Sequence, residues 1–404
     1  MRINFILPSM SRKKFSGGLF GLMKYADGLA KRGHQVNVIP MLPSAEPAWF
    51  NGEYRFVSRA LPARTWSFLH AWGRMLGQSL NLAGGKGDMM RLKSAVWDMA
   101  GKLLLLVDHR AFPLELRRAA SLLYLRHIIP EAEVTIASSF ETALPTALYG
   151  SGKKFYFVQH FEPYFRGECS NPELAEKDAH LSYGLGLTMI ANSTWLKRKL
   201  EAEVAGVGVA LCPNAIDHDT FCINGKPHRQ RDGREVVVIS YGGRDAVWKG
   251  FHEMVQAVGI VRKALPAYNI RWQVYGSALV APDNNVASYE SLGFLNHADL
   301  ANAYRDADIL LSASWYESFP AFPLEAMACG LPVITTQHGA EDYAIHGETA
   351  EIVEAGNPDG IAQGLIHLIK DDEHRQNIAR KGYAMSKKFT WASSVNRMEE
   401  IISG

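Results

Sequence analysis

Residues 309–336 read ILLSASWYESFPAFPLEAMACGLPVITT, and the reading of this stretch decides the fold. Ile309 to Leu311 is a short apolar run of the kind a buried strand carries. The sequence predicts a loop from Ser314 to Phe322, then a short helix from Leu324 to Cys329 opened by Pro323 and closed by Gly330. Pro at the first helical position and Gly just past the last are the expected punctuation. Pro332 to Thr336 then reads as the next strand.

Two carboxylates, Glu317 and Glu325, flank this loop. Phe322, just before the helix, offers no side-chain acceptor, so the first backbone N–H groups are left for a ligand. Such a helix end suits a phosphate. A carboxylate on the loop and another on the first turn would hold sugar hydroxyls beside it. The structural alternative is that Glu325 only complements the helix dipole and Glu317 is a solvated loop residue.

The string ESFPAFPLEAMACGLPVI resembles the signature of family four of the retaining glycosyltransferases, which have the GT-B fold: two Rossmann-like α/β domains facing each other across a cleft. The resemblance implies that Glu325 binds the nucleotide ribose and Glu317 the donor sugar. It also implies that backbone amides among Ser318, Phe319, Ala321 and Phe322 bind the diphosphate. The family usually has Gly where this chain has Pro320, which supplies no N–H. Either the amides of Ala321 and Phe322 take the phosphate or the loop is reshaped.

Length and composition suit two such domains. The 404 residues are long for one core, and 47% apolar with 21% charged residues is ordinary for a globular chain. No run of 18 apolar residues predicts a membrane span, and the opening MRINFILPSM reads as a buried strand, too short in its apolar part for a signal peptide. Four cysteines without CxxC or zinc spacing point to reduced thiols in the cytoplasm. Net charge is +2 but unevenly split: residues 1–200 carry 26 Lys/Arg against 15 Asp/Glu, and 201–404 carry 17 against 26. A basic first half fits an anionic acceptor or the inner face of a membrane, or is an ordinary difference between two domains. Residues 61–130, with Trp66, Trp72 and Trp97, 10 Lys/Arg and 4 Asp/Glu, are the part that would touch lipid; helical patterning over 91–107 and 114–128 equally fits a packed subdomain.

From the start, residues 2–8 read as a strand, Leu19 to Arg32 as a helix and Gln35 to Pro40 as a second strand. Gly17 and Gly18 stand at the helix mouth, where a ligand can approach the backbone. The G-x-G-x-x-G spacing of a dinucleotide site is absent. The string GGLFGLMKYADGLAKRGHQVNV is similar to the opening of family-four enzymes, which implies that this loop faces the acceptor. His34 ends the helix and is expected to have no chemical role. Val134 to Ser138 and Lys154 to Gln159 read as further strands, the second ending in QHFEPYF. His160 and Glu162 there fall at a strand end, where an α/β sheet meets its ligand; the resemblance implies a functional residue at His160. QHFEPYF also resembles a segment of bacterial rhamnosyltransferases of surface-glycan assembly, implying a deoxythymidine diphosphate sugar, with uridine and guanosine donors open.

In the second half, Pro213-Asn214-Ala215-Ile216-Asp217 resembles the family's segment at the domain junction, and 224–234 reads as a linker. Glu235 to Ser240 is a buried strand, and a helix starts near Phe251. Between them, GGRDAVWKG carries Gly243, Arg244 and Lys249 on one loop. A diphosphate leaving group gains negative charge as its bond to the sugar breaks, and fixed cations stabilise it. The structural alternative is two solvated cations; the resemblance, Gly-Arg then Lys-Gly, implies the diphosphate site. Residues 270–276 end a strand at Gly276, and in the family the segment at Gly293-Phe294 packs near the base. Asp306-Ala307-Asp308 and Asp217-His218-Asp219 match a DxD metal pattern by letter but read as structural, so no metal or other cofactor is expected.

These readings predict domains over 1–210 and 211–385, with 386–404 a helix returning to the first. The expected function is a retaining, metal-independent glycosyltransferase of polysaccharide or lipopolysaccharide assembly. Its partners would be a nucleotide sugar and a glycan or lipid-linked glycan acceptor, with no nucleic acid. A nucleotide-sugar hydrolase or epimerase, or a non-catalytic nucleotide-sugar-binding partner, would use the same loops.

Overall fold

The computed structural model describes residues 1–13, 15–58, 114–168, 171–204, 206–224, 234–242, 246–276 and 288–404. Most of the basic-aromatic stretch 61–130, including the helix expected over 91–107, lies outside the described residues, as do Gly243, Arg244 and most of the linker.

The chain divides into two compact units. Met1–Ala191, Leu200–Ala210 and Val395–Gly404 make the first; Asn192–Lys199 and Leu211–Ser394 make the second.

In the first unit the strands are β1 (Arg2–Leu7), β2 (Gln35–Pro40), β3 (Arg55–Phe56), β4 (Val134–Ala137), β5 (Lys153–Val158), β6 (Thr188–Ala191) and β7 (Ala210–Leu211). They lie in the order β3-β2-β1-β4-β5-β6-β7. Neighbours pair in parallel, with Phe5 opposite Val38 on one side and Ile136 on the other. Helices α1 (Gly17–Lys31), α2 (Leu114–Ile128), α3 (Phe140–Tyr149) and α4 (Pro172–Tyr183) flank the sheet; α5 (Thr194–Glu203) divides between the units. β1 is buried from Ile3 to Leu7 and β5 from Phe155 to Val158, because both faces of a parallel sheet are covered. Gly17 and Gly18 form the first turn of α1 itself, two residues earlier than the apolar spacing predicts, because that spacing registers only at Leu19. α3 carries Pro145 inside, a residue that by itself signals a break in a helix. His34 meets Glu399 at 2.7 Å and the N-terminal amine at 3.1 Å, and so ties chain ends together.

In the second unit β8 (Glu235–Tyr241), β9 (Asn269–Tyr275), β10 (Glu290–Gly293), β11 (Ile309–Leu311), β12 (Val333–Thr336) and β13 (Glu351–Val353) form a parallel sheet in the order β10-β9-β8-β11-β12-β13. The helices are α6 (Phe251–Ala264), α7 (His297–Asp306), α8 (Ala321–Ala328), α9 (Pro358–Lys370), α10 (Asp372–Ser386) and α11 (Trp391–Ser403), whose last nine residues and Gly404 belong to the first unit. One face of the sheet buries Val238, Val258, Trp272 and Leu365; the other buries Val237, Tyr275, Tyr304 and Met327. Two polar pairs lie inside: Trp272 Nε1 donates to Ser240 Oγ at 3.0 Å, and the Tyr275 and Tyr304 hydroxyls meet at 2.7 Å. Each such pair avoids a desolvation cost of about 1–3 kcal/mol.

The central helix needs a correction. α8 begins at Ala321 and not after Pro323: Pro320 is its N-cap, and Glu325 is its fifth residue, not its third. Pro323 sits at the third helical position, which tolerates it because the first N–H groups have no intrahelical acceptor.

Candidate active site

Both sheets reverse direction of growth once: between β1 and β4, and between β8 and β11. Outside the carboxyl ends of strands at such a switch point lies the crevice where α/β sheets bind ligands. In the second unit the loops bordering it follow β8 and β11, which are the loops that carry the sequence-predicted residues.

These two loops are stitched together. The Trp315 N–H donates to the Trp248 carbonyl at 2.7 Å, and the Trp315 indole donates to Glu253 at 3.0 Å. Gly250 has φ +68, and a Cβ there would lie 2.0 Å from the Ala313 carbonyl oxygen, so only glycine lets the loop after β8 press on the end of β11. Gly339, at φ +88, holds the segment after β12 equally close to the Glu317 carbonyl, 2.1 Å from a built Cβ. The result is an ion pair between Lys249 Nζ and Glu317 Oε1 at 2.5 Å, with side chains 15% and 14% exposed. The ammonium also lies 4.2 Å from the Trp248 ring centre, and Trp248 stacks on Tyr316. Lys249 and Glu317 are thus brought together, 68 residues apart in sequence.

Glu325 projects from α8 into a buried setting. Its Oε2 has no hydrogen-bond partner among the described residues. Burial, and then the charge of Asp217, push its carboxyl up to about 8. At neutral pH it is a carboxylic acid, able both to donate and to accept. Ser318 Oγ, in a side chain only 1% exposed, is likewise without a partner among the described residues. Buried polar atoms left unpaired are costly and mark places where a ligand or water belongs.

The N-terminus of α8 has no side-chain cap. Pro320 has φ −67, its carbonyl accepts the Tyr343 hydroxyl at 2.5 Å, and the proline is accommodated without strain. The first two N–H groups are those of Ala321 and Phe322. The Phe322 ring is fixed against Tyr241 and Tyr275, at 4.7 and 5.6 Å between centres. Phe319 is turned into the core against Tyr343 and Phe389. At the far border, Gly276 donates its N–H to the Gly293 carbonyl at 2.8 Å, and Phe294 beside it is 71% exposed.

Both DxD look-alikes have structural tasks. Asp308 accepts the Val237 N–H at 2.7 Å, and Asp217 accepts the Asp219 N–H and the Thr220 hydroxyl. Among the described residues, the group able to hold a metal ion is Glu351, His367 and His374, on β13, α9 and α10. Sequence spacing does not reveal it, because its three members belong to three elements.

In the first unit, Gly17 and Gly18 open α1 at the end of β1, and a Cβ on either would meet nothing within 4 Å. Ser16 makes no side-chain cap, so this helix end also presents bare N–H groups. His160 follows the end of β5 and is half-buried. Glu162, two residues on, turns inward: its carboxyl group accepts the Tyr156 hydroxyl and, at 3.0 Å, the Phe140 N–H at the start of α3. Burial holds its carboxyl up to about 8. Its backbone N–H donates to the Tyr183 hydroxyl at 3.1 Å. Both oxygens of Glu162 therefore serve packing within the unit.

Two parallel sheets with flanking helices make this an α/β protein of the GT-B fold. Solved structures similar along the whole chain include sucrose-phosphate synthase from Thermosynechococcus elongatus (14% identity, covering 100% of this chain and 98% of that one, TM-score 0.67). Another is HepE of Anabaena, solved with UDP and glucose (16%, 100% and 99%, TM-score 0.64). Residues 226–385 match the model of the family described as glycosyl transferases group 1. A D-inositol 3-phosphate glycosyltransferase of Paenarthrobacter aurescens (strain TC1) is 32% identical over 181 residues, 41% of this chain and 44% of the relative. The capsular polysaccharide biosynthesis glycosyltransferase CapM of Staphylococcus aureus is 31% identical over 198 residues, 46% and 51%. The chain spans about half the length of the curated relatives it matches.

Proposed function

We propose that the chain is a retaining glycosyltransferase that moves a sugar from a nucleoside diphosphate donor to a glycan or lipid-linked glycan acceptor. The observation that carries this is the clustering at the β8/β11 switch point: the Lys249–Glu317 pair, the unpaired buried Ser318 and Glu325, and the uncapped start of α8. Cation, anion-ready amides and two hydroxyl-binding carboxyl groups match the parts of a nucleotide sugar.

In this reading Lys249 and Arg244 hold the diphosphate, with the Ala321 and Phe322 amides completing its cradle. Glu325, neutral at pH 7, donates to one ribose hydroxyl and accepts from the other. Glu317, oriented by Lys249, accepts from a sugar hydroxyl. As donor phosphate enters, the ammonium exchanges part of its contact with Glu317 for phosphate oxygen. The bond from the anomeric carbon to the phosphate oxygen breaks while fixed cations take up the developing charge. The acceptor oxygen bonds to the same face, and its proton passes to the departing phosphate. No metal is required for the leaving group, because two cations already serve it. Gly17, Gly18 and His160 serve the acceptor side. The names of the relatives, an inositol-phosphate and a capsular-polysaccharide enzyme, support a phosphorylated or glycan acceptor. In this reading the acceptor is handled in the cytoplasm at the membrane face.

The test is incubation with UDP-, GDP- and deoxythymidine diphosphate sugars, with and without extracted lipid-linked glycan, in the presence of EDTA. Acceptor-dependent release of nucleoside diphosphate with an α-linked product from an α-donor supports the proposal. Release of free sugar or an epimerised donor without acceptor would replace it with hydrolysis or epimerisation. Tight donor binding with no turnover under any condition would make the chain a binding partner.

A further inference from the structure

At the β13 edge of the second sheet, two imidazoles converge on one carboxylate. Glu351 opens β13, His367 lies in the last turn of α9 and His374 in the first turn of α10. A helix following a parallel strand runs back along it, so the end of α9 lies away from the loops after β8 and β11. Glu351 Oε1 is 3.6 Å from His367 Nδ1, and Glu351 Oε2 is 3.5 Å from His374 Nε2. One ligand atom from each residue lies within 4.8 Å of the other two. The two imidazole rings stack with centres 4.5 Å apart.

The arrangement is built into the backbone. Gly364 lets α9 lie close on β13: a Cβ there would be 3.1 Å from Val353 and 3.4 Å from the Glu351 Cγ. His367 follows three residues later, on the same helix face. The α9–α10 turn is locked by Arg375, whose guanidinium donates to the Leu368 carbonyl at 2.8 Å, and by Asp371, which accepts the His374 N–H at 2.9 Å. Glu351 is buried, His374 half-buried and His367 exposed, so a cation can reach the group from solvent.

One cation satisfies both nitrogens and the carboxylate together. Tetrahedral zinc, with bonds of about 2.0–2.2 Å, sets its donor atoms about 3.3–3.6 Å apart. The two carboxylate–imidazole distances, one to each Glu351 oxygen, are 3.6 and 3.5 Å, and with the three ligand atoms within 4.8 Å of one another, small side-chain rotations bring them to that spacing. Two imidazole donors suit zinc and its neighbours, whereas magnesium takes oxygen ligands throughout.

We propose that Glu351, His367 and His374 bind one zinc ion that clips β13, α9 and α10 together, with the fourth position left to water. α10 in turn supports α8: a Cβ at Gly382 would lie 3.2 Å from Met327 on α8, the helix that carries Glu325. The ion stabilises this backing and takes no part in sugar transfer.

The experiment uses the full chain without an affinity tag, stripped with EDTA and dialysed. It is titrated with ZnCl2 by calorimetry and melted with and without ZnCl2 at ~100 times the dissociation constant. Expected are one zinc per chain, a melting temperature raised by ~5–10 °C, no shift with MgCl2, and a visible absorption band with CoCl2. His367→Gln alters an exposed side chain and leaves folding intact by circular dichroism, yet weakens zinc binding at least tenfold, as does His374→Gln. Absence of saturable zinc binding, or unchanged binding by the His367→Gln/His374→Gln double variant, would overturn the proposal.

Discussion

Replacing Lys249 by alanine removes the cation that holds Glu317 in a largely buried site. The ammonium and the carboxylate lie 2.5 Å apart, and the two side chains are only 15% and 14% exposed. Breaking a buried ion pair from one side costs about 3–5 kcal/mol, because the remaining charge is stranded. The residual exposure trims this to ~2–3 kcal/mol, and loss of the contact with Trp248 adds ~0.5–1 kcal/mol. The expected cost is therefore ~3 kcal/mol, and for a unit of about 150–250 residues each kcal/mol lowers the melting temperature by ~2–4 °C. Thermal melts of Lys249→Ala should show the second unit's transition ~6–12 °C lower. Lys249→Ala combined with Glu317→Gln removes both charges, and relative to the two single variants should recover at least half of that loss. The assay is a double-mutant cycle followed by circular dichroism and calorimetry. A shift below ~2 °C for Lys249→Ala, or two single effects that simply add, would refute the claim that the pair is coupled and desolvated.

Three further outcomes follow from the same geometry. The Glu325 carboxyl stays protonated to about 8 in the folded chain but ionises near 4.5 once unfolded. The folded state therefore binds the extra proton between those values, and stability falls as pH rises across them. Melts of Glu325→Gln should gain on the wild type as pH goes from 5 to 8, by up to ~3–5 kcal/mol; a pH-independent difference would contradict the buried setting. Gly250→Ala meets both a positive φ and the Ala313 carbonyl, so it should cost well over ~1 kcal/mol and abolish nucleotide binding together; a variant with wild-type melting and binding would show that the loop tolerates a side chain. Tyr156→Phe leaves one Glu162 oxygen unpaired in the first unit and should lower stability by ~1–3 kcal/mol in chemical denaturation, with nucleotide binding unchanged.

Much of the fold was legible because parallel strands buried on both faces announce themselves as apolar runs. Glu235 to Tyr241, Ile309 to Leu311 and Val333 to Thr336 are such runs, separated by helical spacing. The start of α8 was misread because two prolines stand near it, and either satisfies the rule for a helix opening; the one inside the third position is tolerated only because no intrahelical bond is lost there. α3 is not legible in the sequence because Pro145 reads as a breaker, although the Ser139–Thr142 capping box and the inward Glu162 carboxyl group hold its first turn. The candidate site was legible as loops but not as contacts. That Lys249 and Glu317 pair, and that Glu162 turns inward, depends on how chains fold back over 68 and 22 residues. The Glu351, His367 and His374 group was invisible for the same reason: no local spacing links a strand with two successive helices.

The central claim is that the loops after β8 and β11 bind the nucleoside diphosphate of a donor sugar. Calorimetric titration with UDP, GDP and deoxythymidine diphosphate, each on wild type, Arg244→Ala and Glu325→Ala, tests it most directly. The account predicts saturable binding of one nucleotide, at least tenfold weaker in both variants. Binding of none of the three, or equal affinity in wild type and both variants, would contradict it.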